Sequence, residues 1–397
     1  MSDARSDARF TEGAAFDWRP RTRVLFGAGT LGRLGEVAVP SAESGEKPLG
    51  RRALVVTDPG VAAAGHAAAG ADALQAAGVE VAVFEEVHAN PTTRDVSAAV
   101  SAARDHRADL LIGLGGGSAM DVAKGANFLL AGGGAMRDYH GVGKGRGTFL
   151  PSVGVPTTAG TGSEAQSFAL IADDETHIKM ACGDGRAAFA AAVLDPDLIA
   201  TVPAKVAAPV AIDAVSHAVE TAACRVRGEL SGMFARRAFG LLAGSIRPYL
   251  QGVATDDDRS AMLLGAHLAG AAIEQSMLGA AHALANPLTA RFGTTHGIAV
   301  GRMLPHVVRY NAEEPAIRAI YEDLAAAGGL TPSAAALAEF LDGLLPFAGA
   351  TGGLERAGVS GDDLPALASL ASEQWTAGFN PRPVTAEDLE GLYRCAF

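Results

Sequence analysis

Two histidines, His282 and His296, stand among small and apolar residues in SMLGAAHALANPLTARFGTTHGIAV, Ser276 to Val300. A partly buried imidazole is either a hydrogen-bonded structural group or a ligand or acid–base group, and its partners decide which. Upstream, AIDAVSHAVE sets Asp213 and His217 four residues apart, which on a helix stacks both side chains on one face, about one turn apart. One carboxylate and three imidazoles, Asp213, His217, His282 and His296, make a closed set of oxygen and nitrogen donors suited to a divalent metal such as Fe or Zn. Pro287 and Gly293 argue against one unbroken helix between the two later histidines. His282 is therefore expected on one helix and His296 at the start of a second.

A second chemistry is written in Gly115-Gly116-Gly117-Ser118-Ala119-Met120-Asp121, which follows the strand-like run Asp109 to Leu114 and precedes a helical stretch from Val122 to Leu130. Glycines let backbone approach a phosphate, and the helix N-terminus offers free N–H groups and a favourable dipole. Flexible loops share this composition, so the flanking strand and helix carry the nucleotide reading. Asp58 ends another apolar run, where a dinucleotide-binding sheet presents a carboxylate to a ribose diol and so favours NAD over NADP. An Asp there is equally at home as a helix N-cap. The glycines do not follow GxGxxG, so a standard Rossmann domain is not implied. In PSVGVPTTAGTGSE, Pro151 to Glu164, the hydroxyls of Thr157, Thr158, Thr161 and Ser163 surround glycines, a lining for a cofactor or a polar surface loop.

The elements that must position these groups change along the chain. Strand-like runs at Arg52–Thr57 and 79–84 alternate with helical stretches up to His106, the pattern of an open α/β sheet. Further strands are expected at 164–171, 178–182 and 190–194, with Lys179 the one cation among them. From Pro203 onward, alanine- and leucine-rich helical segments dominate. The expected organisation is a disordered tail over 1–20, an α/β nucleotide-binding domain over 21–200 and an all-helical metal-binding domain over 201–397. Metal and nicotinamide are expected to meet where the two domains face each other.

Composition narrows the class. A length of 397 residues with 49% hydrophobic residues implies two domains with substantial cores. A net charge of −12 and no Lys/Arg run argue against nucleic acid or anionic lipid as partners. Cys182, Cys224 and Cys395 have no CxxC spacing and support neither a disulfide framework nor a thiolate metal site. No signal peptide and no membrane span is apparent, so a cytoplasmic protein is expected. His66, His88, His106, His140, His177 and His306 lack a partner pattern and read as structural or solvated.

The chain resembles the iron-containing (group III) alcohol dehydrogenase family. The resemblance rests on Gly115-Gly-Gly-Ser-Ala-Met-Asp-Val-Ala-Lys124, Pro156-Thr-Thr-Ala-Gly-Thr-Gly-Ser-Glu164, Asp213-Ala-Val-Ser-His217, the segment from His282 to His296 with the following Leu304-Pro-His-Val-Val-Arg-Tyr-Asn311, and Asn380-Pro-Arg382. It implies reversible NAD(P)-linked oxidation of a small alcohol to its aldehyde or ketone, in a homodimer. It also implies that Asp213, His217, His282 and His296 hold the metal. Gly116, Gly117, Ser118, Asp121, Thr157, Thr158, Thr161 and Lys179 would lie along NAD, with Asp58 at the adenosine ribose. Many members carry a proton-relaying histidine where this chain has Asn286, which cannot take up and release a proton near neutral pH. Phe168 stands where some members have a polar substrate contact, which implies a more apolar pocket. Rival readings are a metal-independent, maleylacetate-reductase-like enzyme, a cyclase or lyase of the dehydroquinate-synthase type, and a catalytically lapsed nucleotide-binding homologue.

Overall fold

The computed structural model of the chain describes residues 18–176 and 178–397; residues 1–17, which hold most of the expected tail, and His177 lie outside the described residues. The described residues form two compact units, Arg19–Val202 and Pro203–Phe397, the second also including Trp18.

The first unit is built on a six-stranded sheet: β1 (Arg23–Phe26), β2 (Arg52–Val56), β3 (Glu80–Phe84), β4 (Leu110–Gly115), β6 (Ser152–Pro156) and β9 (Ala191–Leu194). They lie in the order β1-β9-β6-β4-β2-β3, with every neighbouring pair parallel. Side chains alternate between two cores. Leu54, Val56 and Leu111 face one, and Ala53, Val55, Leu110 and Ile112 face the other. A parallel sheet buried on both faces requires this pattern, and it explains the near-continuous apolar runs in the sequence. Helices α4 (Thr93–His106) and α5 (Gly117–Gly132) cover the first face; α1 (Leu34–Ala38) and α3 (His66–Ala76) cover the second, and a short α2 (Pro59–Ala63) precedes α3. A smaller sheet holds β5 (Gly141–Val142), β8 (Lys179–Gly183) and β7 (Phe168–Ala172) in that order, β7 and β8 antiparallel.

Two expectations shift here. Helix α5 begins at Gly117, not near Val122, so the glycine turn is itself the start of the helix. The strand expected at 164–171 begins at Phe168, because Ser163–Ala165 forms a 3-10 turn instead. Both differences trace to Lys124, an ammonium almost fully buried in α5. Its Nζ donates to Ser163 O at 2.7 Å, Ser163 Oγ at 2.8 Å and Phe168 O at 2.8 Å, and it lies 5.2 Å from the Phe189 ring centroid. Ser163 Oγ in turn donates to Asp121 Oδ1 at 2.9 Å. The clamp fastens the Thr157–Glu164 loop onto the first turns of α5.

The second unit is helical: α6 (Ala204–Ala223), α7 (Glu229–Leu250), α8 (Asp256–Glu274), α9 (Ala280–Phe292), α10 (His296–Asn311), α11 (Pro315–Ala327), α12 (Ala334–Asp342), α13 (Leu364–Ser372) and α14 (Ala386–Cys395). Helix α6 packs on α7, α8 and α10, and α9 packs on α10 and α13. Gly293 ends α9 in a left-handed conformation, as expected, but Pro287 lies inside the helix and does not break it. Burial of Leu284, Ala285 and Leu288 around the proline supplies the packing that offsets its lost backbone hydrogen bond. Among the described residues no helix is long and apolar enough to cross a membrane.

Removing the Lys124 ammonium takes a donor from Ser163 O, Ser163 Oγ and Phe168 O and leaves buried Asp121 without its neighbouring cation. Lys124→Met is expected to lower stability by about 3 kcal/mol in urea unfolding; a loss below about 1 kcal/mol would show that the clamp is dispensable.

Candidate metal centre and nucleotide-binding turn

Three helices deliver the four ligand candidates of the second unit. Asp213 and His217 share one face of α6, His282 is the third residue of α9, and His296 is the first of α10. The approach of α10 to α6 depends on missing side chains. A Cβ at Gly297 would lie 1.9 Å from the Pro209 carbonyl oxygen, and one at Gly301 would lie 2.5 Å from Ile212 Cγ2. The two glycines are one turn apart and let the helix start, with His296, close on Asp213.

The Nε2 atoms of His217, His282 and His296 lie 3.5, 3.5 and 3.8 Å from one oxygen, Asp213 Oδ1. The His217 and His282 rings stack at 5.1 Å between centroids, and His282 and His296 are tilted at 5.4 Å. These separations exceed a hydrogen bond. They match the edges of a tetrahedron around an ion with bonds of about 2.1 Å, roughly 3.4 Å. Asp213 Oδ1 and His282 Nε2 are buried without a hydrogen-bond partner, as is His217 Nδ1. Buried polar atoms are normally paired, so the donor set, with Asp213 Oδ1 and His282 Nε2 orphaned at its centre, fits a divalent cation. Asp213, His217 and His282 form the tightest group, all three buried; His296 is the more open of the four, at 29% side-chain exposure.

Electrostatics follow from burial and from this convergence. Burial opposes ionisation of Asp213, yet the facing His217, His296 and His282 hold its carboxyl well below the usual carboxylate range. Burial lowers His217, with Asp213 only partly compensating. His282 moves the other way: burial opposes its charge, but Glu220 and Asp213 together push it up to about 9.

Glu220 is the residue that sequence reasoning missed. Buried on α6, it accepts a hydrogen bond from His282 Nδ1 through Oε2 and from the Ala281 N–H through Oε1, the latter at 2.7 Å. A proton kept on Nδ1 leaves the Nε2 lone pair aimed at the centre. The signal was present in the sequence: Asp213, His217 and Glu220 fall at i, i+4 and i+7, all on one helical face.

Asn286 lies one turn beyond His282 on α9, and its Nδ2 donates to Gln374 Oε1 at 2.9 Å. Of the histidines read as structural, His66 pairs with Thr201, His88 with Asp95 and His106 with the Glu80 carbonyl. His306 lies within α10, where burial lowers its pKa. His140 ends a 3-10 turn as its C-cap.

In the first unit the parallel pairing of β4 and β6 sets the glycine turn beside the threonine loop, with the Thr157 N–H donating to Gly115 O at 3.0 Å. A Cβ at Gly117 would lie 2.8 Å from the Thr161 side chain, and one at Gly116 3.6 Å from Thr158 Oγ1. Gly116, Gly117, Ser118, Thr158 and Thr161 are partly accessible there, while Thr157 is buried. Asp121 points inward to Ser163, and burial raises its pKa despite Lys124. Asp58 is the N-cap of α2: Oδ1 accepts from the Gly60 and Val61 N–H groups at 2.9 and 3.0 Å. Its other oxygen faces Gly115, 3.4 Å from where a Cβ would stand. The cap uses Oδ1 and leaves Oδ2 outside it. Lys179 is exposed at the start of β8. Phe168 lays its ring across Gly183, its partner in the antiparallel pair.

Comparison with known proteins gives a consistent result across both units. A family model described as iron-containing alcohol dehydrogenase matches residues 20–196, and the C-terminal model of the Fe-containing alcohol dehydrogenase family matches 207–397. Lactaldehyde reductase of Escherichia coli (strain K12) is 32% identical over 356 residues, covering 87% of this chain and 92% of that protein. Among solved structures, a 1,3-propanediol oxidoreductase superposes with a TM-score of 0.88 at 29% identity, over 96% of this chain and all of that one. Sulfoacetaldehyde reductase from Bifidobacterium kashiwanohense, solved in complex with NAD+, superposes with a TM-score of 0.86 at 25% identity, over 97% of this chain and 99% of that one.

Replacing Glu220 by Gln removes the charge that keeps the proton on His282 Nδ1 and sets an amide against the Ala281 N–H. Metal affinity of Glu220→Gln, measured by competition with a chelator, is expected to fall by roughly 10- to 100-fold. Unchanged affinity would show that Glu220 does not orient His282.

Proposed function

The chain belongs to the iron-containing alcohol dehydrogenase family, and on that footing we propose that it interconverts a small alcohol and its aldehyde or ketone, using NAD and one divalent metal, Fe or Zn. Asp213, His217, His282 and His296 are the proposed metal ligands. The observation that carries this is the convergence of three imidazole nitrogens on Asp213 Oδ1, at distances suited to a shared cation. When bound, the metal supplies Lewis-acid polarisation of a substrate oxygen and NAD the two-electron exchange.

The chain's own residues supply placement. Glu220 holds His282 in the tautomer that points Nε2 inward. The free N–H groups at the start of α5, with Gly116, Gly117 and Ser118, suit a pyrophosphate, and the hydroxyls of Thr157, Thr158 and Thr161 stand beside that turn. Asp121 supports the turn from within through Ser163. Lys179 at the rim of the small sheet offers a cation to the cofactor, and Phe168 an apolar wall to the substrate. Asp58 disfavours a 2′-phosphate by charge, which supports NAD over NADP. Asn286, held to Gln374, is a neutral amide, so a proton leaving the substrate must travel by water or a cofactor hydroxyl rather than through this side chain. The names of the relatives, reductases of small aldehydes and an oxidoreductase of a diol, support a small oxygenated substrate. Family resemblance also favours a cytoplasmic homodimer.

The test is to strip the protein with chelator, restore Fe or Zn, and follow NADH absorbance across a panel of small alcohols and aldehydes. Metal-dependent turnover with NADH preferred over NADPH is expected. Equal turnover in the stripped protein would favour the metal-independent reading, and tight NADH binding without turnover a lapsed enzyme.

A further inference from the structure

His282 sits in the first turn of α9, and that turn is held from outside the helix. Its N-cap is Gly279, which has no side chain to offer. A Cβ there would lie 3.1 Å from both Asn380 Oδ1 and Glu220 Oε1. The first N–H groups of a helix need acceptors. Here the Ala280 N–H donates to Asn380 Oδ1 at 3.3 Å, and the Ala281 N–H to Glu220 Oε1 at 2.7 Å. Both caps come from distant segments, Asn380 lying 100 residues away in sequence.

Every polar end of the Asn380 side chain is engaged, and the residue is 2% exposed. Its Nδ2 donates to Asn311 Oδ1 at 2.8 Å and to the Arg382 carbonyl at 2.6 Å. Asn311 Nδ2 donates back to Asn380 Oδ1 at 3.2 Å and also to the Tyr321 hydroxyl at 3.1 Å. The partners fix the amide's orientation: backbone N–H groups can meet only its oxygen, and carbonyls only its nitrogen. Asn311 is the last residue of α10, whose first residue is His296. Arg382 holds the same helix end, donating to Tyr310 O at 2.7 Å with its guanidinium carbon 3.7 Å from the Tyr310 ring centroid.

We propose that Asn380 is a positioning residue of the metal centre, fixing the start of α9, and with it His282, against the helix that begins at His296. The proposal rests on the metal-site reading above. Ligand groups must be held to within about 0.5 Å to bind well. Losing the acceptor for the Ala280 N–H loosens the turn that carries His282.

The test compares the full-length wild type with Asn380→Ala, Asn380→Asp and Asn311→Ala. Zinc affinity is read by chelator competition, NADH binding by fluorescence and thermal unfolding by circular dichroism of the zinc-free protein. Asn380→Ala is expected to weaken zinc about tenfold or more, and Asn380→Asp, which keeps the acceptor for Ala280 but sets its second oxygen against the Asn311 and Arg382 oxygens, by less than Asn380→Ala. Asn311→Ala, which frees the Asn380 amide to turn, should fall between them. NADH binding should be unchanged in all three. A lower melting temperature in Asn380→Ala with wild-type zinc affinity would assign a purely structural role and overturn the proposal. If Asn380→Ala does not fold, Asn311→Ala decides, and wild-type zinc affinity there overturns it. A wild-type chain that binds no zinc or iron overturns the metal-site reading, and the proposal with it.

Discussion

A carboxylate taken out of water among apolar helices must be paired with positive charge, or the fold loses several kcal/mol. Asp213 is in that position: buried on α6, with three imidazole nitrogens turned toward the same oxygen. Without a metal, the proton held on His282 supplies part of the balance, since Glu220 and Asp213 against its two ring nitrogens push its pKa up to about 9. A divalent ion supplies it more fully and also satisfies the orphaned Asp213 Oδ1 and His282 Nε2. The rest of the helical unit is arranged around that pairing. Glycines at 297 and 301 let α10 close on α6, Glu220 sets the His282 ring, and Asn380 ties the start of α9 to the end of α10.

The nucleotide-binding unit solves a related problem with different residues. Asp121 and Lys124 are both buried in α5, and Ser163 joins them. Their bonds turn a glycine-rich loop, which alone would be mobile, into a defined edge where backbone N–H groups and threonine hydroxyls stand together. In both units a buried charge fixes the geometry of the groups proposed to meet a ligand. This places the energetic cost away from the reacting atoms.

The sheet was legible because its strands are short apolar runs ended by glycine or aspartate, and parallel strands buried on both faces leave that trace. The ligand candidates were legible because Asp213 and His217 stand one helical turn apart in an apolar context. Four things were not. The helix at Gly117 read as a loop because glycine is a poor helix former in isolation, and its stability comes from a tertiary clamp. Pro287 read as a break because a proline inside a helix removes a backbone hydrogen bond, a cost that the packing of buried α9 offsets and that local sequence does not show. Lys124 and Glu220 were visible as charges in apolar helices but only contacts assign them partners. Asn380 acts on a segment 100 residues distant, which no local pattern records.

X-ray absorption at the metal edge of the chelated and reloaded protein tests the central claim most directly. One ion per chain, bound by nitrogen and oxygen only at about 2.0–2.1 Å, with the outer-shell scattering of imidazole rings, is the predicted result. Sulfur scattering near about 2.3 Å, or a shell without imidazole, would place the ion elsewhere and contradict the assignment of Asp213, His217, His282 and His296.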